Sequence, residues 1–179
     1  MTPSRVAAVL VMLGTLVRAW MVFRHHPLEA SLYSDMAFLH DRAVRLAAGT
    51  FEPSDLQKQL GYSALFAGLL RLEALIGRPV AFGVLSVAQW AASSATLAPV
   101  WWTARRWLGE RWGLVALAAL AFHPYWVCYA AVFLPETFVI AIVSALVWWT
   151  ASREPGRGAS PVLLGLGWGI ALWLKGSLV

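Results

Sequence analysis

Residues 133–149 read FLPETFVIAIVSALVWW, a run with one proline, one carboxylate and no other charge. Glu136 stands directly after Pro135, at the mouth of a segment that stays apolar to Trp149. A first-turn acid at a helix start is one reading of it. An ionisable group at membrane depth, expensive there and therefore a functional candidate, is the other. The choice depends on what the rest of the chain is.

The chain of 179 residues is 60% hydrophobic, carries eleven tryptophans and has a mean hydropathy of +0.66. Charged residues make up 13%, about half the share of soluble domains. Apolar stretches approaching the ~20 residues that cross a bilayer as a helix recur along it. The expected class is an all-α integral membrane protein. A pI near 10 points to nucleic acid in other proteins, but here the basic residues sit in short loops between apolar runs, where positive-inside topology accounts for them. Cys128 is the only cysteine, so no intrachain disulfide can form.

Five segments read as membrane helices: Val6–Phe23, Pro79–Ala104, Trp112–Val132, Glu136–Ala151 and Pro161–Gly176. Helices are expected because hydrocarbon leaves the backbone no other hydrogen-bond partners. The first run lacks a small-residue cleavage site and is interrupted by Arg18, which favours an uncleaved anchor over a signal peptide. Arg105, Arg106 and Arg111 share one short loop, and Arg153 and Arg157 another. These loops are two spans apart and fall on one side, which the positive bias makes cytoplasmic, with the N-terminus. A multi-pass protein of the plasma (inner) membrane is implied. Trp101, Trp102, Trp148 and Trp149 then fall at cytoplasmic ends and fit an aromatic belt. Residues 24–78 and Glu136 lie outside.

That external loop of residues 24–78 is long, and long loops are often functional. In DMAFLHDRAVRLAA (Asp35–Ala48), Met36, Leu39, Ala43, Leu46 and Ala47 form one helical face, Asp41 and Arg45 are spaced to pair, and Gly49 is a stop. GYSALFAGLLRLEALIG (Gly61–Gly77) is apolar but contains Arg71 and Glu73, which argue against spanning. Counting it as a span would also put Asp35 and Glu136 on different sides. Two helices lying along the membrane surface are expected. Asp35 and Lys58 each have a plain reading, a first-turn acid and a solvated lysine, but both share the outer side with Glu136. His25 and His26 adjoin the first span without further spaced ligands, so no metal site is read there. His123, before Pro124, is expected to mark a kink.

Three stretches together resemble the GT-C class of membrane glycosyltransferases, in particular the protein O-mannosyltransferase and aminoarabinose transferase group (glycosyltransferase family 39-like). YSDMAFLHDRAVRLAAGTFEP (33–53) is similar to the acid-bearing start of the family's first external loop. KQLGYSALFAGLLRLEALIG (58–77) is similar to its surface helix, and AFHPYWVCYAAVFLPETFVIAIVSALVWW (121–149) to its third and fourth spans. The chain departs from the pattern at Met36, where a second acid often follows, at Gln59 and Leu60, where the family has paired prolines, and at LKGSLV (174–179), where an arginine–proline is common.

The resemblance implies transfer of a sugar from a polyprenyl-phosphate donor to an acceptor hydroxyl of a glycan, lipid or protein at the outer membrane face. It makes Asp35 the candidate catalytic base and Lys58, Glu136 and Tyr62 candidate substrate-binding residues. It requires a lipid-linked sugar; a divalent metal is compatible with it, but no ligand spacing supports one. It further implies that residues 1–179 form one membrane domain at the N-terminal end of a longer chain. The competing expectation, motivated by the departures, is a non-catalytic membrane module that binds lipid or a partner subunit. A small transporter fits less well, because the ionisable residues gather outside rather than near the midplane.

Overall fold

The computed structural model describes residues 2–30, 32–50, 52–53, 55, 60–153 and 160–175. Every regular element among these residues is a helix, with no strand. Helix α1 (Pro3–Trp20) starts with proline in its first turn and runs on as a π-helical turn, Met21–His25. The two together form 23 residues long and apolar enough to cross a membrane. Helix α2 spans Asp35–Ala48 and α3 Gly61–Ile76, both ending at glycines with left-handed backbone, Gly49 and Gly77. Helices α4 (Ala81–Ala95) and α5 (Leu97–Leu108) together form the second segment of sufficient length and apolarity, 28 residues from Ala81 to Leu108. The break at Thr96 follows from Pro99, which has no N–H to give and whose ring presses on the carbonyl one turn back.

The expected third span is not one helix. It divides into α6 (Glu110–Phe122) and α7 (Pro124–Tyr129), with His123 extended between them at φ −63° and ψ 121°. Proline disfavours the helical conformation in the residue before it, so the kink expected at His123 is a full break. Helices α8 (Glu136–Ala151) and α9 (Pro161–Leu174) are apolar but only 16 and 14 residues long, short of the ~20 that span hydrocarbon unaided.

Helices α5 and α6 form a hairpin through the single residue Gly109, at φ 88° and ψ 171°. Gly113 lets the pair close, since a β-carbon there would sit 3.0 Å from the Arg105 backbone. Helix α1 packs on this hairpin through Ala7, Leu97, Leu117, Ala121 and Trp101. Trp101 is thus a core residue at 6% exposure rather than part of a belt, while Trp102 and Trp148 pack ring to ring with centroids 5.2 Å apart. Helices α8 and α9 run antiparallel, with Glu136 beside Lys175 at one end and Leu146 against Gly167 farther along.

Helices α2 and α3 lie side by side in the same direction, Ser63 bonding to Leu39 O and Arg71 to Leu46 O and Ala47 O. A parallel pair obliges the connection to travel back along its own length, and Asp55 pins that return. Its carboxylate accepts from Arg45 Nε and Nη2 and from the Glu52 amide, while its carbonyl accepts from Arg42, which is buried and also bonds Ser63. The Asp41–Arg45 pair expected from i, i+4 spacing is absent; Asp41 faces His40 instead. An exposed pair of that kind contributes only about 0.3–0.5 kcal/mol. A buried carboxylate taking a forked guanidinium wins over it.

The Arg45 hydrogen bonds hold the Asp55 carboxyl below the usual carboxylate range, against the opposing effect of burial. Its contribution to stability is present in full above the unfolded value of about 3.9 and is lost as pH falls through the lower folded pKa. Melting temperature measured between about pH 5 and 2 should therefore fall less in Asp55→Asn than in wild type. Equal slopes would show that Asp55 does not carry the acid sensitivity.

Candidate functional site

The charges that argued against α3 as a span, Arg71 and Glu73, cap its neighbours. Arg71 closes the end of α2, and Glu73 Oε2 accepts from the amides of Val80 and Ala81 at 2.9 and 2.8 Å, which starts α4. This arrangement fixes the α2–α3 pair over one end of the molecule. The core beneath it joins Leu28, Met36, Ala43, Tyr62, Phe66, Leu85 and Phe133.

At the edge of that core lies a cavity of about 110 Å³, where α2, the start of α8 and the end of α9 converge. Asp35, Phe38, Glu136 and Lys175 line it, with Leu134 and Leu174 as apolar wall. The structure thus brings Asp35 and Glu136 to one cavity. Asp35 is the first residue of α2 and is exposed. Ser34 before it holds φ 51° and ψ −124°, the one non-glycine with positive φ among the described residues. Such backbone costs about 1–3 kcal/mol and gathers at functional sites.

Glu136 begins α8 and is half-buried. One carboxylate oxygen accepts from Lys175 Nζ, and the other is buried without a hydrogen-bond partner among the described residues. Lys175 was not among the sequence candidates. Its signal was a lone cation just past an apolar run, in the LKGSLV stretch noted only as a departure, and nothing local pairs it with a residue 39 positions earlier. Lys58 lies outside the described residues.

Tyr62 is wholly buried behind the cavity and does not line it. Its hydroxyl accepts from Gln89 Nε2 at 3.2 Å, and the same amide donates to Val132 O and Leu134 O at 2.9 and 3.1 Å. Tyr62 and Gln89 thereby hold the non-helical turn that delivers Glu136, which Thr137 Oγ1 secures by donating to Tyr129 O at 2.8 Å. Burial, with the nearby Glu136 carboxylate adding to it, pushes the Tyr62 hydroxyl well above its usual pKa, so it stays protonated. The structure gives Tyr62 a positioning place behind the site.

Helix α3 also sets the far wall. A β-carbon on Gly61 would meet the Trp173 carbonyl oxygen at 2.3 Å, so only glycine lets α3 start against the last turn of α9, next to Lys175. Gly61→Ala is expected to cost about 1–3 kcal/mol by overpacking. A purified variant melting at the wild-type temperature would show that this contact can relax.

His25 stacks on Trp20, and His26 Nδ1 lies 3.2 Å from Ala131 O. Among the described residues no three His, Cys, Asp or Glu side chains come together to hold a metal ion. No family model, no curated protein and no solved structure matches the chain.

Proposed function

We propose that the chain is a multi-pass membrane protein that transfers a sugar from a polyprenyl-phosphate donor to an acceptor hydroxyl at the outer face of the plasma membrane. Five apolar segments cross or enter the bilayer, the N-terminus is cytoplasmic, and α2 and α3 lie along the outer surface. The large apolar side chains exposed on α1 and α9, among them Met12, Leu16, Val162, Leu166 and Ile170, support a lipid-facing exterior. Arg105, Arg106 and Arg111 lie at the α5–α6 turn, about 24 Å of α8 away from Glu136. The positive-inside rule then puts the carboxylate cavity outside.

The observation that carries the reading is the meeting of Asp35, Glu136 and Lys175 at one cavity. In the reaction the acceptor oxygen forms a bond to C1 of the sugar. The C1–O bond to phosphate breaks, and polyprenyl phosphate leaves with the bonding pair. Asp35 takes the hydroxyl proton. Lys175, held at the cavity by Glu136, places a positive charge where the phosphate departs. The apolar wall of Leu134 and Leu174 faces the first isoprene units.

The test is binding of a polyprenyl phosphate to the purified protein. Wild type should bind, and Lys175→Ala should weaken binding about tenfold through loss of a charge-assisted contact. No binding by wild type would overturn the donor assignment and leave the non-catalytic lipid- or subunit-binding module as the better account.

A further inference from the structure

The end of the molecule away from the carboxylates holds a second, larger cavity of about 360 Å³ between α5 and the last turn of α8. Trp102, Thr103, Arg105, Arg106, Trp148 and Ser152 line it, and no carboxylate among the described residues does. Arg105 is committed, reaching Glu110 at 3.0 Å and lying 5.7 Å from the centre of the Trp101 ring. Arg106 has no acidic partner among the described residues. Thr103 Oγ1 is buried there, also without a hydrogen-bond partner among the described residues. Arginine supplies a planar set of donors matched to phosphate oxygens, so the cavity suits an anion.

The neighbouring surface decides which anion. Thr103 also lines a separate apolar groove of about 300 Å³, formed by Pro99, Val100 and Ala104 of α5 and Val143 and Val147 of α8. Trp107 and Leu108 bring that groove to the level of the arginines, and Pro99 and Val143 carry it along the two helices from there. A basic cavity beside an apolar groove, the two meeting at Thr103, suits a phospholipid, with phosphate in the one and an acyl chain along the other. A free phosphate would leave the groove without purpose.

We propose that the Arg105–Arg106 cavity and the Pro99–Val147 groove together form a binding site for one anionic phospholipid of the leaflet opposite the carboxylate cavity. The proposal rests on the membrane reading above. It goes beyond the ordinary role of loop arginines in setting orientation, which needs charge at this end of the bundle but no cavity and no groove.

Native mass spectrometry of the purified full chain in detergent tests it, with phosphatidylglycerol and phosphatidylcholine of identical acyl chains as probes. Wild type should retain one phosphatidylglycerol at about tenfold lower lipid concentration than phosphatidylcholine. Arg105→Gln with Arg106→Gln should erase that preference. Val147→Trp, which fills the groove and keeps both arginines, should lower retention of phosphatidylglycerol. Arg111→Gln removes a charge from the same hairpin outside the cavity and should leave the preference intact. An equal loss in Arg111→Gln would show general surface charge rather than a site and would overturn the proposal, as would unchanged retention in Val147→Trp. Displacement of the lipid by millimolar glycerol 3-phosphate would make the ligand a soluble phosphate and overturn the lipid assignment. A chain that floats with vesicles of neither composition would overturn the membrane reading itself, whereas flotation with both and no headgroup preference overturns this proposal alone.

Discussion

Asp35→Asn is expected to lower sugar transfer by about 10²–10⁴-fold while the variant still binds polyprenyl phosphate, because a positioned base contributes a factor of that size. The substitution separates the two roles open to this residue. As a first-turn acid of α2, Asp35 interacts with the helix dipole, a term of about 0.3–1 kcal/mol. Asparagine keeps the size and most of the hydrogen bonding, so the fold should lose little. A lost general base is worth about 3–5 kcal/mol of barrier at these fold-changes. The two magnitudes do not overlap, so kinetics and melting temperature assign the role. Transfer that survives Asp35→Asn would remove Asp35 as the base, whatever the cavity binds.

The second large effect is on stability. Arg18, in the apolar helix α1, is 1% exposed and has no carboxylate partner among the described residues. Its guanidinium donates to Ser93 Oγ at 2.8 Å and to three carbonyls, Gly14 O, Leu120 O and Ala121 O, at 3.0, 2.8 and 2.9 Å. Two of those carbonyls belong to the last turn of α6. Leu120 O would ordinarily accept from the amide four residues on, but that residue is Pro124, which has none. The chain breaks α6 at His123 and fills the exposed carbonyls with a cation from α1, placed at the negative end of the helix dipole.

Arg18→Met should therefore cost about 2–4 kcal/mol by leaving buried carbonyls and a hydroxyl unpaired, lowering the melting temperature by about 5–15 °C. Relief from desolvating a charge opposes this, and the absence of a carboxylate keeps the opposing term real. The hydrogen bonds outnumber it, four against one buried group. Arg18→Lys, which keeps the charge but loses the fork, should fall between. Arg18→Met melting at the wild-type temperature would show that water or a shifted α7 serves the carbonyls equally well.

Several elements were legible because their causes are local. The starts and stops of α2 and α3 follow from helical periodicity and from Gly49 and Gly77, and the break at His123 from the proline beside it. The apolar character of α1, α4–α5, α8 and α9 is plain in composition alone. The Asp41–Arg45 pairing was misread because periodicity sees only residues on the same helix. Asp55 competes from a returning connection that exists only because α2 and α3 are parallel. Trp101 and Trp102 are neighbours in sequence, yet one enters the core and the other meets Trp148, a difference set by which face of α5 turns towards α6.

By itself, then, the sequence determined an all-helical, apolar chain with Asp35 and Glu136 each placed at a helix start. Only the tertiary structure decided that these two acids reach one cavity, that Lys175 joins them, that Tyr62 stands behind the site rather than in it, and that Arg18 is satisfied by carbonyls of another helix. Helix formation depends on residues three and four apart, whereas these contacts depend on how closely whole helices approach. Gly61 against Trp173 and Gly113 against Arg105 set that approach, and a distance between helices has no signature in the periodicity of either one.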